Sequence, residues 1–255
     1  MASLHEQYRP ADFAGVVGQP RAIAEIERVL ARGWGGRAWL IHGASGTGKT
    51  TLGRIIAARG ADPFDVDERD AKRIGMDDLR EIERGLQYRG LGKDGGKAVI
   101  VNECQNLSKA VASALLVSLE PIPKYACWIF TTTRPPSLFA EGDIGAEIGL
   151  PFLSRCSEIA LSNDGETVAA MGQRAAEIAR LEGLDGLPDG VYKTAAEKCK
   201  GNMRQLLQRI ESGAFRADAR DAAQRELDGL ASTKGERAEA RRKVLIETLA
   251  KVGQP

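Results

Sequence analysis

Apolar positions along the chain switch between two periods. Residues 21–31 place Ile23, Ile26, Val29 and Leu30 at helical spacing, whereas residues 38–41 form the short continuous apolar run of a buried strand. The alternation continues with a helix over 50–59, a strand over 64–67, and an amphipathic helix over 77–87 carrying Leu79, Ile82 and Leu86 on one face. A strand over 98–101 follows, then a helix that Ser108 caps and that ends at Leu119 before Pro121 and Pro123. Further strands are expected over 128–131 and 158–161. Strands alternating with helices predict an α/β domain whose parallel sheet has helices on both faces. Beyond Leu161 the strand pattern stops: 164–182 and 188–213 read as helices. The expected organisation is an α/β domain over 1–161, a small all-α domain over 162–215 and a charged helical tail over 216–255, where both signs intermix.

The turn after the first strand carries the chemistry. Gly43-Ala-Ser-Gly-Thr-Gly-Lys-Thr50 satisfies the phosphate-loop pattern G-x-x-x-x-G-K-T and lies between a strand and a helix, as that pattern requires. Its glycines let successive N–H groups of Gly43, Ala44, Ser45, Gly46, Thr47 and Gly48 turn inward toward phosphate oxygens. The dipole of the helix that begins near Lys49 and continues through Thr50 and Thr51 adds to the attraction. Lys49 is expected to reach the β- and γ-phosphates of ATP, and Thr50 to ligate Mg²⁺. Such an enzyme needs an acid at a neighbouring strand tip. Here the tip reads Asn102-Glu103: Asn102 offers the metal an oxygen without a charge, and Glu103 is the candidate general base for water.

Composition changes this picture little. The chain has 255 residues, 43% hydrophobic and 28% charged, as in an ordinary globular protein, with a net charge of +1. Polyanion binding would therefore need a local basic patch or an oligomer. No apolar run approaches the roughly 18 residues of a membrane helix. The opening MASLHEQYRP lacks the pattern of a secretion signal, so a cytoplasmic location is expected. Cys104, Cys127, Cys156 and Cys199 lie far apart without a CxxC pair, which argues for reduced thiols rather than a zinc site. His5 and His42 read as structural, and Trp34, Trp39 and Trp128 as core or loop anchors.

Several segments, in order, resemble the AAA+ motor subunits of DNA sliding-clamp loaders: the bacterial DNA polymerase III tau/gamma subunit, the replication factor C small subunit and the phage clamp-loader large subunit. They are Tyr8-Arg-Pro10 with Phe13 and Val16-Val-Gly-Gln19; Phe64-Asp-Val-Asp67 with 75–82; Asn102-Glu-Cys-Gln-Asn-Leu-Ser108 with 114–120; Trp128-Ile-Phe-Thr-Thr-Thr133; Leu153-Ser-Arg-Cys156; and Gly201-Asn-Met-Arg-Gln-Leu206. Together they cover 5–212. The resemblance implies a P-loop AAA+ sheet followed by a small helical lid, and an ATP- and Mg²⁺-dependent ATPase acting in DNA replication. Its partners would be a sliding clamp, primer–template DNA and other loader subunits.

It also implies residue roles. Tyr8, Arg9 and Val17 would pack around adenine, and Thr132, with Thr133 close behind, would watch the γ-phosphate. Arg155 would act in trans on a neighbour's nucleotide, and Arg204 in cis. Arg69, Lys72, Arg73 and Lys109 would contact DNA phosphates without reading sequence. The neighbourhood Leu86-Gln-Tyr88 is the candidate clamp contact. The chain departs from the pattern in three places: it lacks a zinc insertion, its link over 134–152 is longer, and its tail over 216–255 is shorter than an oligomerising collar. The compact form points to a phage or other mobile replicon. Two other readings stay open: a non-hydrolysing ATP-binding scaffold, which Asn102 favours, and an AAA+ motor for recombination or branch migration, since fold does not fix the task.

Overall fold

The computed structural model describes residues 3–92, 94–138, 146–184, 187–231 and 235–252. Of the 134–152 link, residues 139–145 lie outside the described residues, as do 232–234 and 253–255 of the tail. In chain order the elements are α1 (Leu4–Gln7), α2 (Pro20–Leu30), β1 (Arg37–His42), α3 (Lys49–Ala58), β2 (Val66–Asp70), α4 (Met76–Gly85), β3 (Lys97–Asn102), α5 (Lys109–Ser118) and β4 (Ala126–Thr132). There follow α6 (Pro136–Leu138), α7 (Ala146–Ser154), β5 (Cys156–Ala160), α8 (Gly165–Leu181), α9 (Asp189–Lys198), α10 (Met203–Glu211), α11 (Ala214–Gly229) and α12 (Glu236–Val252).

The chain divides into two compact units, Pro10–Asn163 and the combination of Met1–Arg9 with Asp164–Pro255. The first unit is the α/β fold expected. Among the described residues its strands form one sheet in the order β2-β3-β4-β1-β5, and every neighbouring pair is parallel. Successive side chains of a strand point to opposite faces, so β4 sends Trp128 and Phe130 into one apolar layer and Cys127 and Ile129 into the other. The first layer is closed by α4, α5 and α7 through Leu79, Leu115 and Phe152; the second by α2 and α3 through Ile26, Leu52 and Ile56. Burying such side chains stabilises the unit by roughly 1.5–3 kcal/mol each.

Two local readings are corrected. The strand expected over 64–67 starts later, at Val66, because Pro63–Asp65 forms a 3-10 turn that leaves Phe64 70% exposed. The long link contains α7, which sequence periodicity missed because Pro151 interrupts the pattern. Its anchor is Phe152, fully buried and edge-on to Phe130 with ring centroids 4.8 Å apart. Trp39 and Trp128 are core residues, while Trp34 lies in a loop and donates its indole N–H to the Ile56 carbonyl at 2.6 Å.

In the second unit α8, α9 and α10 surround Ala175, Tyr192, Leu206 and Ile210, and α1 packs on α10 through Leu4. Residues 1–9 thus cluster with the helices, whereas the sequence groups them with the sheet. The single helix expected over 188–213 is two. Lys200 and Gly201 have φ of 50° and 67°, which no helix continues through, and Asn202 restarts the chain by accepting from the Gln205 N–H at 3.0 Å. The tail forms a hairpin of α11 and α12, with Arg241 donating to both carboxylate oxygens of Glu226 at 2.7 and 3.0 Å.

Candidate functional site: the phosphate loop and the strand tips

The loop Gly43–Gly48 leaves the end of β1 and enters α3. Gly48 caps α3 at φ 104°, and Gly43 has φ 153° where an added Cβ would lie 2.9 Å from the Leu161 Cβ. Only glycine suits these two positions. Thr47 is buried and donates its hydroxyl to the Ala44 carbonyl at 2.8 Å, while Ala44 and Ser45 stand exposed at the lip. Lys49 is only 6% exposed, yet its ammonium is satisfied inside the loop by the Gly43 and Ala44 carbonyls, both at 2.9 Å. A buried cation ringed by backbone dipoles at a helix N-terminus suits a polyanion.

Parallel pairing brings the tips of β2, β3 and β4 to the same edge as this loop. Asn102 is the junction. Its Oδ1 accepts from the Thr50 hydroxyl at 2.9 Å and from the Thr131 hydroxyl at 3.0 Å, and its Nδ2 donates to Glu68 Oε1 at 2.8 Å. Glu68 is itself held by Arg54 at 2.7 and 3.1 Å. Both lone pairs of Asn102 Oδ1 are therefore engaged, so Asn102 orients hydroxyls instead of presenting an open ligand oxygen. Next to it, Glu103 is a non-glycine residue at φ 55°. Its carboxylate accepts from Gln105 Nε2 at 2.6 Å and from the Thr133 hydroxyl at 3.3 Å.

Thr132 does not join this cluster. Its side chain is fully buried and accepts from the Arg134 N–H at 3.0 Å. The two-residue period of β4 turns Thr131 and Thr133 toward Asn102 and Glu103, and Thr132 away. Glu68, Gln105, Thr131 and Thr133 are thus the members of the cluster beyond Asn102 and Glu103. The alternation of Thr131-Thr-Thr133 was the available signal for two of them.

The oxygen donors that remain at this edge, Thr50 and Glu103, fit a hard cation such as Mg²⁺. Among the described residues no three His, Cys, Asp or Glu side chains gather into a metal site of their own.

The remaining candidates fall elsewhere. Arg155, between α7 and β5, donates to the Pro151 carbonyl at 2.9 Å and pairs with Glu120 beyond the end of α5. Val17 is half-buried in the sheet unit. Tyr8, Arg9 and Arg204 belong to the helical unit. The Tyr8 hydroxyl donates to Glu182, which raises its pKa above the ordinary 10.0. Arg9 pairs with Glu6, and Arg204 is exposed in the first turn of α10, the end where a helix dipole disfavours a cation. Of the basic candidates, Lys72, Arg73 and Lys109 are exposed beyond the tips of β2 and β3. Arg69 differs from them, being held by Asp67 at 2.9 Å, Asp78 at 3.2 Å and Glu81 at 3.8 Å. Its hydrogen bonds to Asp67 raise its pKa further, and a DNA phosphate would have to displace three carboxylates. In the candidate clamp contact Leu86 is buried and Tyr88 is 70% exposed. His42 pairs with Glu158 at 2.9 Å, in keeping with a structural part.

No family model matches the chain. In sequence it is 26% identical over 235 residues to the DNA polymerase III subunit gamma/tau of Mycoplasma pneumoniae, covering 82% of this chain and 32% of that protein. It is 34% identical over 158 residues to the corresponding subunit of Mycobacterium tuberculosis H37Rv, covering 52% of this chain and 27% of that protein. The chain is similar to DNA polymerase III gamma/tau subunits. It spans about a third or less of the length of these two relatives. In structure it matches the Thermotoga maritima RuvB Holliday junction branch migration motor with a TM-score of 0.61 at 18% identity, over 95% of this chain and 72% of that one. That likeness shows a shared fold. No helix among the described residues is long and apolar enough to cross a membrane.

Proposed function

We propose that the chain binds and hydrolyses ATP as a motor subunit of a DNA sliding-clamp loader acting in replication. The observation that carries this is the meeting of the Gly43–Thr50 loop with the Asn102–Glu103 tip through the Thr50–Asn102 hydrogen bond at 2.9 Å. Similarity to DNA polymerase III gamma/tau subunits over 82% of the chain supports the replication setting.

In this reading the loop N–H groups and Lys49 neutralise the triphosphate. Glu103 orients a water for in-line attack once Gln105 and Thr133 yield it. Mg²⁺, when bound, neutralises charge on the β- and γ-phosphate oxygens. Val17 packs against the base. Arg155 leaves Glu120 to reach the γ-phosphoryl group of an adjacent subunit. Lys72, Arg73 and Lys109 track DNA phosphates, and Tyr88 touches the clamp. These events take place in the cytoplasm.

The test is phosphate release by the purified chain with ATP, Mg²⁺, a clamp and primed DNA. Stimulated turnover that Lys49→Ala abolishes supports the reading, whereas absence of ATP uptake by calorimetry overturns it. A second reading, a non-hydrolysing scaffold, is favoured by the neutral Asn102 where a strand-tip acid would serve the metal. Zero turnover in the native chain with recovery in Asn102→Asp would establish it. The RuvB likeness supports the fold without adding a branch-migration role.

A further inference from the structure

The amide of Asn102 has two ends, and only one is compatible with a metal at Thr50. With Oδ1 toward Thr50, the hydroxyl donates its proton to Asn102 and its lone pairs face outward, where a cation needs them. With Nδ2 toward Thr50, the hydroxyl would have to accept, spending a lone pair and bringing amide protons toward the cation. An aspartate has no such ambiguity. The asparagine therefore creates a need that an aspartate would not: something must choose its rotamer.

We infer that Glu68 is that selector, a positioning residue that sets the Asn102 amide so that Thr50 can hold Mg²⁺. The inference rests on the ATP–Mg²⁺ reading above. Glu68 lies on β2, whose register pairs Glu68 with Ile100 and Asp70 with Asn102 on β3. Its Oε1 accepts from Asn102 Nδ2 at 2.8 Å, and a carboxylate can only accept, so it admits the amide in one orientation. Thr131 donates to the opposite end at 3.0 Å and reinforces the choice. Arg54 fixes the carboxylate from the other side at 2.7 Å. The chain Arg54–Glu68–Asn102–Thr50 thus runs from α3, across the middle of β2 and the tip of β3, back to the first turn of α3. Outer partners of this kind commonly set metal affinity by 10–100-fold.

The experiment is a Mg²⁺ titration of fluorescent ATP-analogue binding to the full chain, a binding readout independent of turnover. Glu68→Ala and Glu68→Gln are each measured with native Asn102 and with Asn102→Asp, after thermal melting shows each variant folded. With Asn102 present, Glu68→Ala should raise the Mg²⁺ concentration for half-maximal binding about tenfold. Glu68→Gln, whose amide can donate as well as accept, no longer forces one orientation and should also raise the Mg²⁺ requirement. In the Asn102→Asp background the sign should reverse, because removing Glu68 relieves repulsion between two carboxylates. Arg54→Ala should shift the Mg²⁺ requirement less than Glu68→Ala. The inference is overturned if Glu68→Ala leaves the requirement unchanged, if its effect is equal in both backgrounds, or if Arg54→Ala matches it. A native chain that binds the analogue under those outcomes leaves the ATP reading standing; one that binds none at any Mg²⁺ concentration overturns both.

Discussion

Thr50 donates its hydroxyl to Asn102 across 2.9 Å, joining the first turn of α3 to the tip of β3. The bond ties the phosphate loop to the strand carrying Glu103, and it makes Thr50 the protein oxygen best placed for a metal. Thr50→Val keeps the shape and removes that oxygen. It should weaken Mg²⁺-dependent nucleotide binding about tenfold or more while leaving metal-free binding close to native, measured by titration with and without a chelator.

Glu103 is held at φ 55° with its carboxylate on Gln105 and Thr133. Glu103→Gln should lower hydrolysis by about 10² or more and leave nucleotide binding intact, since general-base contributions run from 10² to 10⁴. Single-turnover phosphate release beside equilibrium binding separates the two effects.

Arg155 pairs with an exposed partner, Glu120, so its removal should cost little stability, within about 1 kcal/mol. Its expected effect is on turnover and only in the assembled state. Mixing Arg155→Ala with Lys49→Ala subunits should restore part of the activity each lacks alone, because one supplies the pocket and the other the arginine. Failure of complementation at concentrations where the subunits associate would exclude a trans role.

Phe152 anchors α7 with no exposed surface, edge-on to Phe130. Phe152→Ala should destabilise the sheet unit by about 3–5 kcal/mol, the range for emptying an aromatic site. Denaturant melts followed by tryptophan fluorescence would read it through Trp128, whose ring stacks on Phe130.

The hydrogen bonds from Arg241 hold Glu226 below its ordinary value of 4.5. A depressed folded pKa means that the pair's contribution is complete above pH 4.5 and fades as pH falls through the lower folded value. The pair is exposed, so the effect is small. The melting difference between the native chain and Glu226→Gln should be constant from pH 7 to about 5 and vanish on acidification below 4.5.

How much of this was legible in the sequence depends on whether the information is local. The Gly43–Thr50 pattern specified its own conformation, because glycines at positive φ and a helix start are properties of adjacent residues. The alternation of helical and strand periods likewise specified a parallel α/β sheet, since apolar periodicity reflects which faces must be buried. Residues 188–213 were misread as one helix because apolar spacing resumes after Gly201 and hides the break at positive φ.

The identity of the site's neighbours was not local. Glu68 is 34 positions from Asn102, and only the parallel register of β2 on β3 brings them within hydrogen-bonding distance. The choice of Thr131 and Thr133 over Thr132 was decided by which face of β4 is turned toward Asn102 and Glu103. The engagement of Arg69 by Asp78 and Glu81 depended on α4 lying beside the end of β2. The sequence by itself determined that a phosphate loop exists and which fold carries it, because those follow from short-range backbone geometry and burial. Only the tertiary structure decided which side chains serve the loop, because hydrogen bonds act over about 3 Å, a distance that strand pairing and helix packing alone bring about.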